Sequence, residues 1–431
     1  MSANGLYRAA LTAGLGAALI AGGIARADPA VSPASWIRLA IDRVCPMDGL
    51  DGLSAQGALP SSWLLRETRA PSVGAPRRVR VTLALPGGDE LHLERRQAGG
   101  ALRQFVVAHY AAEGDGLRPT LQAFADGGCA TQSGRRIRRD GPVAVLLDQL
   151  DGDLETVRWS ETLQAPWPPG ADPGGPRVAM VDSGLAYDLP LFHDHLARSA
   201  DGTPIGYDFW DLDAWPYDGD VSRGPFLPIR HGTAVASVLV REAPSAGLAV
   251  YRYPRPDMSR LEDVVEHAAA ARARILAMPL GSNRREDWDG FARALQAHDM
   301  LAIVSAGNDG RDIDSAPVWP AALELETLLV VTSADAFGRL APGSNWGARS
   351  VDVMLPAENV PVVDFRGASA RASGSSYAVP RLAALAARLL EAEPALSARA
   401  LKRRVLERAT RSPYEREPLV AVGWIPDPAA D

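Results

Sequence analysis

The first part of the chain alternates apolar and polar residues as β-strands do. Residues 79–85 follow this pattern, and residues 91–94 repeat it after the turn-forming stretch 86–89, so the two segments predict a β-hairpin. A helix is predicted at 35–44. Further strands are predicted at 104–110, 120–125, 143–147 and 154–159. Together these elements predict a small, mainly antiparallel β domain.

Beyond residue 176 the pattern changes to strands and helices in turn. Strands are predicted at 177–182, 246–252, 274–278, 301–306 and 328–333. The clearest helix is 261–273, whose apolar residues recur at helical spacing along one face. This alternation predicts an α/β domain with a mostly parallel sheet covered by helices on both faces. Such sheets place their active sites at the carboxyl ends of the strands.

A stretch rich in proline and glycine separates the two patterns. Residues 165–176 contain five prolines and three glycines, a composition that cannot sustain a helix or a central strand. At 431 residues the chain also exceeds the roughly 250 to 300 residues that one core supports. We therefore expect a signal peptide at 1–27, a β-rich domain at 28–164, a linker at 165–176 and an α/β domain at 177–431.

Composition and charge restrict the possible functions. Apolar residues make up 47% of the chain and charged residues 23%, which is typical of a globular protein. The net charge of −7 argues against a nucleic-acid partner. One local exception is 135–139, with four arginines in five positions. A solvated strand or loop is the favoured interpretation, and a docking patch or a processing site is the alternative.

The N-terminus has the pattern of an export signal. Arg8 supplies the positive charge, an apolar run follows at 9–24, and Ala25-Arg26-Ala27 forms a small-x-small cleavage pattern. The run of 16 residues is shorter than the roughly 20 that a membrane-spanning helix needs, although an uncleaved anchor remains the alternative. We expect an exported protein, in the periplasm or the medium, with no stable membrane span after signal removal.

Two cysteines, Cys45 and Cys129, lie in the N-terminal third of the chain. In the oxidising environment that an exported chain meets, an even pair predicts a disulfide. Their number and spacing do not provide the clustered ligands of a metal site.

Four segments carry candidate chemistry. Asp182 ends an apolar strand, and His231 opens an apolar helix. Ser376 stands at the mouth of another helix, where unpaired backbone N–H groups stabilise an oxyanion; Pro380 fits a position in its first turn. Asn308 follows a strand that ends in Gly-Asn and could donate its amide to the same oxyanion. Taken singly, each segment also fits a purely structural role as a cap or turn.

Taken together, the segments Asp-Ser-Gly, His-Gly-Thr, Ala-Gly-Asn and Gly-Ser-Ser-x-Ala-x-Pro resemble the subtilase family of serine proteases. They occur in that family's order, which differs from the order of the triads in α/β-hydrolases and chymotrypsin-like enzymes. The resemblance covers about 177–410 and does not extend to the N-terminal region. It implies a subtilisin-like fold for the second domain.

The resemblance also implies roles for individual residues. Ser376 is the nucleophile, His231 the general base and acid, and Asp182 the residue that orients the histidine. Asn308 and the backbone N–H of Ser376 would bind the oxyanion. The substrate-pairing strand would comprise Met278, Pro279, Leu280 and Gly281.

This chemistry needs no cofactor. Family members often carry calcium, but the sequence does not specify a site for it. We expect a monomer that acts on proteins or peptides.

Where the family usually has histidine, threonine, methionine and serine, this chain has Ala234, Ser375, Tyr377 and Pro279. No catalytic group is lost, but the last two changes put specificity in doubt.

Two questions stay open at this level. The region 28–164 is either a removable inhibitory pro-segment, released by self-cleavage at a flexible linker, or a permanent accessory domain. The alternative to an endopeptidase is a catalytically silent exported binding or chaperone protein on a protease scaffold.

Overall fold

The computed structural model of the protein describes residues 32–47, 62–69, 77–255, 257–414 and 417–430. The predicted signal peptide lies outside these residues. None of the helices in this part of the chain has both the length and the apolar character needed to cross a bilayer.

The N-terminal region forms an eight-stranded antiparallel sheet in which the strands pair in chain order. Its elements are α1 (Pro33–Val44), β1 (Leu64–Arg69), β2 (Arg77–Ala84), β3 (Glu90–Ala98), β4 (Ala101–Glu113), β5 (Gly116–Asp126), β6 (Thr131–Asp140), β7 (Val143–Asp151) and β8 (Val157–Thr162). The predicted hairpin is confirmed as β2 and β3, with the turn closed by the Leu85 N–H donating to Asp89 O.

One face of this sheet is covered by α1. Ile37, Ile41 and Val44 are fully or almost fully buried against strand residues that include Leu91 and Phe105. The alternation of buried and less buried positions along β3 directs its apolar side chains to this core. Cys45 and Cys129 form the predicted disulfide, which joins the end of α1 to the turn between β5 and β6.

One predicted N-terminal strand begins later than expected. The sequence predicts Leu154 in a strand, but it lies in a turn with a φ of 59° and its side chain is buried in the core. The Asp153 carboxylate accepts the backbone N–H groups of Glu155 and Thr156, which stabilises the turn and delays β8 to Val157.

The arginine run lies within β6, in agreement with the favoured interpretation. Arg136 and Arg138 both donate to Asp148 on the neighbouring strand β7. Arg135 instead donates to Phe226 O, outside the sheet, at 2.6 Å.

The remainder of the chain forms the expected α/β domain. Its elements are β9 (Arg177–Asp182), β10 (Gly206–Asp208), α2 (Gly232–Glu242), β11 (Gly247–Arg252), α3 (Leu261–Ala270), β12 (Ile275–Met278), α4 (Asp289–Ala297), β13 (Leu301–Ser305), β14 (Leu328–Ala334), β15 (Val353–Pro356), β16 (Val360–Val363), β17 (Ser369–Ala372), α5 (Ser375–Ala392), α6 (Ala398–Leu406) and β18 (Gly423–Trp424).

The eight strands of the main sheet pair in parallel in the order β10-β11-β9-β12-β13-β14-β15-β18. Successive strand residues face opposite sides, so Val178 and Met180 pack in the core that includes α2, α5 and α6, whereas Ala179 and Val181 pack in the core that includes α3 and α4. The predicted fold class is confirmed. Burial on both faces also explains why these strands are continuous apolar runs in the sequence.

Candidate active site

The first candidate pair meets where β9 ends and α2 begins. Asp182 is the last residue of β9 and is almost fully buried, and His231 immediately precedes α2. His231 Nδ1 lies 2.8 Å from Asp182 Oδ1 and 2.9 Å from Oδ2. A carboxylate only accepts, so Nδ1 carries the proton and Nε2 is left with a free lone pair. This tautomer is the one that a general base requires.

The carboxylate also changes the acidity of the imidazole. Burial by itself lowers the pKa of His231. The charge of Asp182 and its hydrogen bond, together with the charge of Asp218, outweigh burial and raise the pKa of His231 to about 8. The imidazolium that forms when the base accepts a proton is therefore stabilised by this site.

A buried aspartate that sequence analysis missed supports this pair. Asp218 is 0% exposed and accepts hydrogen bonds from Ser183 Oγ at 2.7 Å and from Thr233 Oγ1 at 2.6 Å. It also accepts the backbone N–H of Thr233 at 3.0 Å and that of His231 at 3.3 Å. Asp218 thus joins the residue after Asp182 to the first turn of α2, where a negative charge also stabilises the helix dipole. In the sequence it is only one of four aspartates in the loop between β10 and α2.

The candidate nucleophile lies on α5, which packs against α2. Ser376 is the second residue of α5 and is half-buried. Its neighbour Tyr377 brings its ring centroid to 6.0 Å from that of His231. Among the hydrogen bonds of the described residues, none joins Ser376 Oγ to His231, and catalytic bonds of this kind are often long in enzymes without substrate.

Pro380 does not lie in the first helical turn, and that prediction was wrong. The helix begins at Ser375, so Pro380 is its sixth residue and lies in the second turn. A proline there cannot donate to the carbonyl four residues earlier, which belongs to Ser376. The local pattern indicated a helix start near Ser376 but did not fix how many residues precede the proline.

Asn308 is held by the residue next to the nucleophile. Its Oδ1 accepts the backbone N–H of Ser375 at 2.9 Å and the hydroxyl of Ser375 at 3.0 Å. Both donors engage the oxygen, and the amide nitrogen of this exposed residue has no acceptor within the part of the chain that the structure describes. The structure therefore brings Asn308 to the N-terminus of α5, where the sequence predicted an oxyanion site.

A second polar residue that sequence analysis missed fixes the loop of Asn308. Asn345 is 0% exposed; its Oδ1 accepts the Asp309 N–H at 2.9 Å and its Nδ2 donates to Ala306 O at 2.8 Å. Gly307 between them has a φ of +98°, and a Cβ there would lie 2.6 Å from Asn345 Nδ2. Only glycine fits this close approach. No motif in the sequence marks Asn345.

The predicted substrate strand divides into a buried and an accessible half. Met278 is the last residue of β12 and packs in the core that includes α3 and α4, and Pro279 is also buried. Leu280 is half-buried and lines a cavity of about 170 Å³ together with His231, and Gly281 is exposed. Pairing of this segment with substrate stays a prediction.

No group of three or more His, Cys, Asp or Glu side chains is arranged to hold a metal ion within the described ranges. The arrangement of Asp182, His231, Ser376 and Asn308 is one that supports nucleophilic acyl transfer.

Comparison with known proteins agrees with the resemblance. A sequence model described as the subtilase family matches residues 174–424. The thermophilic serine proteinase of Bacillus sp. (strain AK1) is 28% identical over 231 residues, which cover 50% of this chain and 52% of that protein. The halolysin-like extracellular serine protease Nep of Natrialba magadii is 29% identical over 235 residues, covering 51% and 41%.

The chain thus spans about half the length of the curated relatives it matches. Among solved structures, a cold-adapted subtilisin-like serine proteinase aligns with a TM-score of 0.49 at 22% identity, over 60% of this chain and 91% of that one.

Proposed function

The chain belongs to the subtilase family, and from this premise we propose that it is an exported serine endopeptidase. The observation that carries the proposal is the contact of His231 Nδ1 with both oxygens of Asp182, beside the helix that begins with Ser375 and Ser376. All three triad residues are present, so the catalytically silent alternative is not favoured.

The proposed reaction follows from these positions. Ser376 Oγ attacks the peptide carbonyl while its proton passes to His231 Nε2, and Asn308 Nδ2 and the Ser376 N–H bind the resulting oxyanion. His231 then gives the proton to the leaving amine as the C–N bond breaks, which leaves an acyl ester on Ser376. Water then attacks that ester while His231 takes its proton, and His231 gives the proton to Ser376 Oγ as the ester bond breaks. Asp182 stabilises the imidazolium throughout.

The pKa of His231 predicts the pH dependence of this reaction. Only neutral imidazole can act as the base, so kcat/KM should rise about tenfold per pH unit below a midpoint near pH 8 and level off above it. Steady-state rates on a fluorogenic peptide across roughly pH 5 to 10 measure this midpoint. NMR titration of the Ser376→Ala protein gives the same pKa directly, and Asp182→Asn should lower it. A midpoint at the ordinary value of about 6.5 would contradict the prediction.

Export is part of the proposal and has three supports. The pattern at 1–27 is that of a cleavable signal, and the disulfide between Cys45 and Cys129 suits an oxidising compartment. The halolysin-like relative is itself described as extracellular. We propose that the protein acts in the periplasm or the medium.

We further propose that the N-terminal sheet is a permanent part of the enzyme. Glu161 in β8 accepts two hydrogen bonds from Arg230, the residue before His231, and the side chains of both are less than 9% exposed. Arg366, in the turn between β16 and β17, lies 3.6 Å from the other oxygen of Glu161. One buried carboxylate of the sheet thus contacts the segments that lead to both His231 and Ser376.

The segment 165–176 supports the same proposal. Its beginning is packed into the α/β domain: Tyr187 donates to Ala165 O at 2.7 Å, and Trp167 stacks on Tyr187 with centroids 4.0 Å apart. Its end leads into β9, so six residue steps of extended chain, about 20 Å, separate it from Asp182. The end of the segment, including Asp172, therefore lies at the amino ends of the strands, away from the catalytic edge, and self-cleavage there is not favoured.

Neutralising Glu161 should therefore affect both stability and catalysis. Glu161→Gln leaves Arg230 buried without its countercharge, and we expect the free energy of unfolding to fall by about 3 kcal/mol. The kcat should also fall, because Arg230 positions the segment of His231. The matched control is Glu155→Gln, which breaks the exposed pair with Arg38 in the same region and should cost under about 1 kcal/mol. Denaturant unfolding and steady-state kinetics measure the two effects.

Mass spectrometry of the exported protein tests retention of the sheet directly. A mature chain that starts at Asp28 supports a permanent domain. A start near Asp172 would contradict it and favour a removable pro-segment.

A further inference from the structure

A large cavity lies where the N-terminal sheet faces a loop of the α/β domain. It measures about 800 Å³ and is bounded by the face of β2, β3 and β4 opposite α1 and by the loop at 222–227. Arginines surround it: Arg78 and Arg80 on β2, Arg96 on β3 and Arg223 on the loop. We call this cavity with its four arginines the basic groove.

The basic groove has an excess of positive charge. Its lining contains a single carboxylate, Glu94, which already pairs with Arg80 at 2.7 Å and with Arg96. Arg78 and Arg223 are exposed and have no ion-pair partner among the residues that the structure describes. The groove is therefore positive although the whole chain has a net charge of −7. Such a local contrast attracts negatively charged ligands.

The loop wall of the basic groove is held in place by the sheet. Phe226 is 1% exposed and packs in a small cluster with Ala108, Ile137 and Leu147. Its carbonyl accepts a hydrogen bond from Arg135 Nη1 at 2.6 Å. A wall anchored in this way is preorganised for a ligand, which reduces the ordering that binding would otherwise require.

The same loop connects the basic groove to the catalytic site. Asp220 and Ile229 pair through two backbone hydrogen bonds at its base, and both line the smaller cavity that contains His231. The eight residues between Asp220 and Ile229, folded back on themselves, reach at most about 14 Å beyond this base. A polypeptide held beside His231 can therefore continue into the groove within a few residues.

We propose that the basic groove binds an acidic segment of the polypeptide substrate, several residues away from the bond that is cleaved. This inference rests on the proposed endopeptidase function. Guanidinium groups pair with carboxylates through two parallel hydrogen bonds, and Arg78 and Arg223 are available to do so from opposite sides. The open cleft accommodates an extended chain, which is the form in which a protease holds its substrate.

Binding is tested without catalysis on the full-length Ser376→Ala protein. A fluorescent hexaglutamate peptide should bind, and the double substitution Arg78→Glu with Arg223→Glu should weaken binding at least about tenfold. The control is Arg403→Glu with Arg408→Glu, two exposed arginines at the end of α6 without ion-pair partners among the described residues; this variant should bind like the parent. Equal binding by the groove variant would overturn the proposal. The proposal would also be overturned if inorganic phosphate or heparin bound saturably and hexaglutamate did not bind.

Kinetics on the active protein distinguish this proposal from the proposed function. A fluorogenic peptide with a hexaglutamate extension should have a KM about tenfold lower than the same peptide without it, at unchanged kcat, and the groove variant should abolish the difference. Raising the ionic strength from about 0.01 M to about 0.1 M shortens the Debye length from about 30 Å to about 10 Å and should reduce the difference. Equal KM values for the peptides with and without the extension would overturn the proposal that the basic groove binds substrate. Binding of hexaglutamate without cleavage of either peptide would overturn the proposed function and support the binding site.

Discussion

Replacing Ser376 with alanine should lower kcat by about a millionfold and abolish labelling by a fluorophosphonate probe. Of the two serines that open α5, only Ser376 has a hydroxyl without a hydrogen-bond partner among the described residues, because Ser375 Oγ is bonded to Asn308; the next residue, Tyr377, lies beside His231. Loss of the nucleophile leaves only the catalysis that the oxyanion site provides. Casein cleavage and probe labelling of the purified mature protein measure the effect.

A nearby serine provides the matched control for this experiment. Ser373 is exposed, and its Oγ accepts the Asn359 N–H away from the helix. Ser373→Ala should retain labelling and activity. Labelling that survives Ser376→Ala would contradict the assignment of the nucleophile, and a wild-type protein that fails to cleave casein would revive the binding or chaperone alternative.

Replacing Asn308 with alanine should lower kcat by a factor of about 100 to 1,000 with little change in KM. The reason is that its amide nitrogen is a free donor aimed by the two bonds that Ser375 makes to Oδ1. A donor that acts on the oxyanion and not on the ground-state carbonyl affects kcat, which corresponds to about 2.7 to 4 kcal/mol of transition-state stabilisation. Steady-state kinetics on a fluorogenic peptide give the two parameters separately.

Two further variants make this prediction specific. Ser375→Ala removes the hydroxyl but keeps the backbone N–H bond to Asn308 Oδ1, so its loss of kcat should be smaller than that of Asn308→Ala. Gln296→Ala removes an exposed carboxamide from α4 and should have no effect. An Asn308→Ala protein with a raised KM and an unchanged kcat would assign Asn308 to substrate binding instead.

Most of the fold was predictable because its elements are encoded locally. A strand buried on both faces must be a continuous apolar run, and a half-buried strand must alternate. The bounds of β9 were therefore predicted correctly, and the β2–β3 hairpin was predicted with its turn, although β3 extends to Ala98, beyond the predicted 91–94. Errors arose where a side-chain contact overrides the pattern. Leu154 is apolar like a strand residue, but the bonds that Asp153 makes to the following backbone turn the chain there.

The residues of the candidate site were also predictable where they lie at the ends of strands or the starts of helices, and not elsewhere. Asp182, His231, Asn308 and Ser376 each follow a strand or open a helix, and parallel strands deliver such positions to one edge of the sheet. Asp218 and Asn345 were missed because neither lies in such a position. Their importance comes from hydrogen bonds to residues 13 to 39 positions away, which no local pattern records.

The sequence by itself therefore determined the family, the two-domain pattern and the residues proposed to react, because each depends on short motifs and on the periodicity of burial. Only the tertiary structure decided how the N-terminal sheet meets the catalytic segments. Glu161 and Arg230 are 69 positions apart, and Phe226 reaches a sheet whose nearest residues lie about 80 or more positions earlier. Contacts at that separation are fixed by the packing of two complete domains, so the basic groove and the buried Glu161 appear only once the chain is folded.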